Sequence, residues 1–294
     1  MNNLYELIKD KYKDIAYLKN LSLKYRSIYS DRTTDNLKCA ILLNSIICAS
    51  STVPCKQNTK NYIIKGFKKL HDNLSQREFA EFCKDLHFCI YPKTISTYGF
   101  PNSIKFYMQN PESLSRIHKT INLLEELNYE YFISYGTLLG YIRNKSLIDY
   151  DNDVDIVVKI NPKSHSGVQD ELTKLKNDLE NKGLNCWWGQ DRAITIVKVG
   201  NGYGDKILRL DLFPWWNING INYIWPGIMD GISNEDIYPL QKINFLDTSM
   251  FIMNNPTKLL EINYGPNWQI PDMSWTFDWN EPMAKYRALI QNEH

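Results

Sequence analysis

The sequence predicts an α+β protein with a helical N-terminal region, and three observations carry that expectation. Residues 1 to about 30, 34–50, 61–72 and 75–90 place apolar side chains at helical spacing. Residues 131 to 213 contain several short runs that alternate in the manner of strands. Between those runs lie two more helical segments, 111–128 and 168–182, the second stopped by Gly183.

The chain has 294 residues, enough for a well-buried core and two structural units. The turn-rich stretch Pro92 to Pro111 divides a helical region, 1–110, from a catalytic region, 111–294. The first region is read as an acceptor-side or accessory unit. Leu4, Leu7, Ile8, Ile15, Leu18 and Leu21 give its first helix an apolar face. The lysine-rich opposite face suits a membrane or glycolipid acceptor, or is simply solvated. The run 34–50 reads as a buried helix, and Ser75 with Glu78 as a capping box.

Net charge is +1, which argues against a broad polyanion-binding surface, so no nucleic-acid partner is expected. The six cysteines, Cys39, Cys48, Cys55, Cys83, Cys89 and Cys186, are irregularly spaced. They read as mostly reduced, in a cytoplasmic protein. Cys83, His87 and Cys89 offer three zinc ligands, but no Cys-x-x-Cys pair or fourth ligand accompanies them, so thiols and a surface histidine are the simpler reading. The N-terminus lacks an apolar signal core, and Leu37 to Ala49 is too short to span a bilayer. Peripheral membrane contact stays open.

The segment Tyr131 to Ile160, YFISYGTLLGYIRNKSLIDYDNDVDIVVKI, concentrates the chemistry. A β-type run leads into Gly136-Thr137 and a short helix carrying Arg143. Asp151, Asp153 and Asp155 follow at alternate positions and enter an apolar strand. Strand side chains alternate between faces, so Val154, Ile156 and Val158 face one way and the aspartates the other. Carboxylates crowded on one face repel one another unless a cation lies between them. Oxygen ligands without His or Cys suit magnesium, manganese or calcium. An EF-hand loop is excluded, because its glycine position holds Ile156 and its closing glutamate position holds Pro162.

Farther along, Leu184 to Trp188 and Ala193 to Val199 alternate like strands. The turn Gly200 to Asp205 would pair Ala193–Val199 with Lys206–Phe213 as a hairpin. Asp211 sits within that second arm. An aspartate inside an apolar strand is costly unless solvated or ligated. Asp211 therefore either joins the carboxylate site or pairs with Arg209 or Lys198 at an exposed edge. Residues 214–280 are rich in Trp, Pro and Asn and show one clear helix, near Thr257 to Tyr264.

Together these pieces suit phosphoryl transfer. The helix start at Gly136-Thr137 offers free N–H groups and a hydroxyl to a phosphate, and Arg143 offers a cationic fork. Two metals between Asp153, Asp155 and Asp211 would activate a hydroxyl and stabilise a leaving diphosphate.

At these residues the sequence resembles the LicD family, which includes fukutin and fukutin-related protein. The similarity rests on Gly136-Thr137-Leu138-Leu139-Gly140, Arg143, Ile148, Asp151, Asp153, Asp155 and Ile156. It continues at Asp211-Leu212-Phe213-Pro214, Tyr238-Pro239-Leu240, Asn255-Pro256, Tyr264-Gly265, Trp268 and Pro271, so it spans roughly 116 to 272. The family's Pro-Trp before the first aspartate is Asp149-Tyr150 here. The resemblance implies a nucleotidyltransferase-like fold, a small mixed β-sheet flanked by helices. It implies transfer of phosphocholine, ribitol phosphate, glycerol phosphate or a similar group from a CDP-activated donor to a hydroxyl of a cell-surface glycan or glycolipid. Asp153, Asp155 and Asp211 would bind Mg2+ or Mn2+, Asp151 would be a further ligand or proton acceptor, and Gly136, Thr137 and Arg143 would hold the donor. Two rivals remain: transfer of a nucleotide to a protein, RNA or small molecule, and a catalytically dead glycan-binding protein whose tryptophans stack on sugars.

Overall fold

The computed structural model describes residues 2–10, 12–16, 18, 34–50, 57–90, 102–149, 151–189, 192–202, 206–271, 275 and 277–291. The chain divides into two compact units, Met1–Ser103 with Ile270–Thr276, and Ile104–Gln269 with Phe277–His294.

The first unit contains α1 (Asn2–Asp10), α2 (Thr34–Ser50), α3 (Gln57–Asn73) and α4 (Gln76–Ile90). The apolar centre of α2, from Cys39 to Leu43, is buried and packs with Ile63, Leu70, Phe79, Phe82 and Leu86. The capping box before α4 is formed. The Ser75 N–H donates to the Glu78 carboxylate at 3.0 Å, and the Glu78 N–H donates to Ser75 Oγ at 3.3 Å. Cys39, Cys83, Cys89 and Cys186 are free thiols, whereas Cys48 is in a disulfide. Cys55 and the His87 side chain lie outside the described residues, as does most of the segment from 17 to 33.

The second unit is built on a six-stranded mixed sheet. Its strands are β1 (Tyr131–Ile133), β2 (Asp153–Lys159), β3 (Cys186–Trp188), β4 (Val197–Val199), β5 (Arg209–Ile218) and β6 (Ile221–Ile224). The order is β1-β2-β5-β4-β3, with β6 paired to the far end of β5. β2 and β5 run parallel and the other pairs antiparallel. The helices of this unit are α5 (Ile104–Tyr107), α6 (Pro111–Glu126), α7 (Tyr135–Asn144), α8 (Val168–Asn181), α9 (Asn234–Ile237), α10 (Pro256–Tyr264) and α11 (Asn280–Gln291). A separate hairpin joins β7 (Gln241–Phe245) to β8 (Thr248–Ile252). This is the α+β arrangement the sequence predicts.

Local chemistry explains where elements start and turn. Asn110 caps α6 by accepting the Glu112 N–H at 3.0 Å, and Pro111 occupies the first turn, where its missing N–H costs nothing. The β5–β6 hairpin turns at Asn219-Gly220, with φ of 54° and 84°, the left-handed pair that matches strand twist. The expected hairpin between 193–199 and 206–213 forms as β4 against β5, with Lys198 opposite Asp211.

Strand β2 lies between β1 and β5, and its positions 154 to 158 are all buried. Val154, Ile156 and Val158 are core as the alternation predicts, but Asp155 and Val157 are buried on the opposite face as well. Trp215, Trp216 and Trp225 are among the largest fully buried side chains, so these indoles fill the core rather than form a surface platform. Among the described residues, no helix is long and apolar enough to cross a membrane.

Candidate active site

The site grows from the junction of β1, α7 and β2. After Ile133 the chain turns at Ser134, and Tyr135 opens α7 with φ of 45°. A non-glycine residue in that region costs roughly 1–3 kcal/mol and persists only where its surroundings hold it. Here the Tyr135 ring packs edge-on against Phe213 at 4.8 Å, and its hydroxyl donates to the Trp225 carbonyl at 2.6 Å.

This turn fixes Asp155 at three points. The Ser134 N–H donates to the Asp155 carbonyl at 3.1 Å. The Asp155 N–H donates to Thr137 Oγ1 at 2.8 Å. The Gly136 N–H donates to the Asp155 carboxylate at 3.1 Å. Gly136 is required for space, because a Cβ there would overlap the Asp151 carboxylate. Gly136 and Thr137 thus shape the carboxylate cluster directly.

Asp151, Asp153 and Asp155 converge, with one carboxylate oxygen from each lying within 4.8 Å of the others. The group contains only hard oxygen donors, which suits magnesium or manganese. The expected metal set was Asp153, Asp155 and Asp211; the structure groups Asp151 with the first two. Asp211 stands directly across from Asp155 in the parallel β2–β5 register, on the same sheet face, and Asp153 stands across from Arg209.

Asp211 is buried, and its carboxylate meets two cations, the Lys198 ammonium and Arg209 Nε, the latter at 3.3 Å. The Arg209 guanidinium also pairs with Asp153. In the sequence, Lys198 and Arg209 are candidate partners for Asp211 at an exposed edge. The partners are as named, but β5 lies inside the sheet between β2 and β4, so these ion pairs sit within the site.

Arg143 anchors a neighbouring segment. Its guanidinium donates to the carbonyl of Trp268, beyond the end of α10, with Nε at 2.8 Å. Arg143 is seven residues beyond Gly136, about 10 Å along the helix axis at 1.5 Å per residue. That contact ties α7 to the Trp268 segment.

The electrostatics follow from burial and crowding. Burial raises the proton affinity of Asp155 well above the ordinary carboxylate value, and Asp153, Asp151 and Asp211 add to it. Burial and then Asp153 do the same to Asp151. Burial also raises Asp211, against the opposing pull of Lys198. Burial alone would weaken the Arg209 cation, but Asp153, Asp211 and Asp155 outweigh it and strengthen its hold on the proton.

A pH prediction follows. Acids whose folded pKa is raised bind more protons in the folded than in the unfolded chain, so their contribution to stability is fully present at low pH and lost as pH rises through the raised values. In chelator, the melting temperature should therefore fall as pH increases above the ordinary carboxylate range. Added Mg2+ should flatten that fall. Thermal melts across pH with and without the ion check this; a chelated protein that gains stability over the same range contradicts it.

Comparison with known proteins bears out the resemblance read from the motifs. Residues 128–255 match the family model described as LicD/FKTN/FKRP, nucleotidyltransferase domain. Ribitol-5-phosphate transferase FKTN of Homo sapiens is 24% identical over 206 residues, covering 64% of this chain and 41% of that protein. An uncharacterized protein, RP689, of Rickettsia prowazekii (strain Madrid E) is 26% identical over 156 residues, covering 51% of this chain and 52% of that one. The chain thus spans about two fifths of the length of the human relative. Among solved structures it is similar to ANT(2")-Ia in complex with adenylyl-2"-tobramycin, at 14% identity and a TM-score of 0.36 over 62% of this chain and 89% of that one.

Proposed function

We propose that this chain, which carries a LicD-type nucleotidyltransferase domain over residues 128–255, transfers a phosphorylated alcohol from a CDP-activated donor to a hydroxyl of a cell-surface glycan. Phosphocholine, ribitol phosphate and glycerol phosphate are the candidate groups. The observation that supports this reading is a coincidence of location: the matched segment contains all four aspartates of the candidate site, three of them converged. The name of the human relative, a ribitol-5-phosphate transferase, supports a phosphoalcohol as the transferred group.

In this reading Asp153 and Asp155, with Asp211 beside them, hold magnesium or manganese. A divalent ion bound there would lower the pKa of the acceptor hydroxyl and neutralise charge on the diphosphate. The chain supplies position: Gly136 and Thr137 hold Asp155 in place, and the strand register fixes Asp211 next to it. The acceptor oxygen forms a bond to the phosphorus that carries the alcohol, and the bond from that phosphorus to CMP breaks. Asp151, in the same cluster, takes the hydroxyl proton. Most of the rate gain in such a transfer comes from alignment and charge neutralisation, which rigid strands deliver well.

A thermal-shift panel tests the assignment. CDP-choline, CDP-ribitol, CDP-glycerol and other nucleotide donors are each compared with Mg2+ and with chelator. One CDP donor should stabilise the protein in a Mg2+-dependent way, and turnover should release CMP. Release of pyrophosphate instead would indicate nucleotide transfer by the same carboxylates, and no response to any nucleotide would remove both readings.

A further inference from the structure

The candidate site carries its own cations, and their placement suggests how it is loaded. Asp151, Asp153, Asp155 and Asp211 contribute four formal negative charges, and Lys198 and Arg209 contribute two positive ones, in direct ion pairs with Asp211 and Asp153. With all four carboxylates ionised, as metal ligation requires, four minus two leaves a formal charge of −2, which one divalent ion cancels. A second divalent ion would make the site +2 unless an anion came with it, and a diphosphate is such an anion. Two of the carboxylates expected to ligate metal, Asp153 and Asp211, are the ones these side chains engage. A ligand oxygen shared with an ammonium or guanidinium is a poorer ligand for a metal, so the cations and the ion compete for it.

We propose that Lys198 and Arg209 are displaceable counter-ions: they hold Asp211 and Asp153 in the metal-free site, yield them to the divalent ion, and turn onto the phosphate oxygens of the arriving nucleoside diphosphate. This rests on the metal-dependent reading above. Both side chains have alternative contacts at hand. The Lys198 ammonium lies 5.8 Å from the centre of the Trp187 ring, an apolar face with negative character on which it can rest once released. Arg209 already bridges two carboxylates, Asp153 and Asp211, and its fork matches phosphate as well as carboxylate. Lys198 and Arg209 are positioning residues in the resting site and become anion-binding residues on loading. The first metal then binds the free protein, and the second binds only with the nucleotide.

Calorimetric titration with Mn2+, and then with CDP at saturating Mn2+, tests this on the full chain. Wild type should bind one Mn2+ alone and a second with CDP, and Asp155→Asn should abolish binding of the first. Lys198→Met should bind Mn2+ roughly tenfold more tightly and CDP roughly tenfold more weakly, within the range by which groups around a metal's ligands tune affinity. Lys198→Arg should behave like wild type. Unchanged or weaker Mn2+ binding in a folded Lys198→Met overturns the proposal while leaving the metal-dependent reading intact. Absence of Mn2+ binding to wild type removes that reading and the proposal with it. A measurement on the unmutated chain guards against a variant that does not fold. In 15N NMR, solvent exchange of the Arg209 Nε–H should quicken on adding Mg2+ and slow again on adding CDP; exchange indifferent to Mg2+ overturns the proposal.

Discussion

Asp155→Asn should lower turnover by about a thousandfold and leave the chain folded. Loss of one ligand from a metal that neutralises transition-state charge costs several kcal/mol, and about 4 kcal/mol corresponds to about 10^3 in rate. Asp155 is a cleaner target than Asp153, whose replacement would also strip Arg209 of a partner. Asparagine keeps an oxygen to accept the Gly136 N–H, and the backbone bond to Thr137 is untouched. It also removes one member of a crowded, mutually repelling set, so the melting temperature in chelator should hold or rise. Steady-state turnover and melts in chelator check the two halves separately. A variant retaining more than a few per cent of activity would remove the metal argument.

Gly136→Ala is expected to separate activity from stability in a different way. Alanine is the better helix residue, by roughly 0.5–1 kcal/mol, and Gly136 lies in the first turn of α7. Its methyl group, however, would occupy the place of the Asp151 carboxylate and approach that of Asp155 at 3.5 Å. Asp151 must swing out of the cluster. A displacement on the order of 1 Å at a reacting group costs about a hundredfold in rate. Turnover should therefore fall by about that factor, while the melting temperature stays level or increases. Wild-type turnover in the variant would show that Asp151 has no part in the reaction.

The carboxylate strand was legible because its pattern is local. Acids at alternate positions against Val154, Ile156 and Val158 point to an extended segment, and β2 adopts it from Asp153 onward, with Asp151 just before the strand. The pairing of β4 with β5 was legible for the same reason, through the turn near Gly200 and the alternation on either side of it. What the sequence concealed depends on neighbours. The sequence brings Asp211 to the carboxylate site, but its pairing with Asp155 in particular is set by a parallel register that no short motif encodes. Lys198 and Arg209 read as partners of Asp211 at an exposed edge until β5 is seen to lie between two other strands. The β5 extension was hidden because Trp215 and Trp216 are consecutive and both buried, which erases alternation. The Asn219-Gly220 turn was a usable signal for the β5–β6 hairpin. The β7–β8 turn at Leu246-Asp247 was not, since both residues take positive φ, 54° and 57°, without glycine. The contact between Arg143 and the Trp268 carbonyl was likewise hidden, since it joins residues far apart in the chain.

The parallel pairing of β2 with β5 has a consequence for how the protein is made. Asp153 and Arg209 are 56 residues apart, and a helix and two further strands lie between them. Parallel strands joined by so long a crossover meet slowly, because the intervening loop must close before the pair gains any contact. A growing polypeptide that has left the ribosome only as far as Lys159 exposes its acidic strand with neither Lys198 nor Arg209 yet available to neutralise it. Neutralisation of the acidic strand is accordingly expected late in folding, when β5 docks.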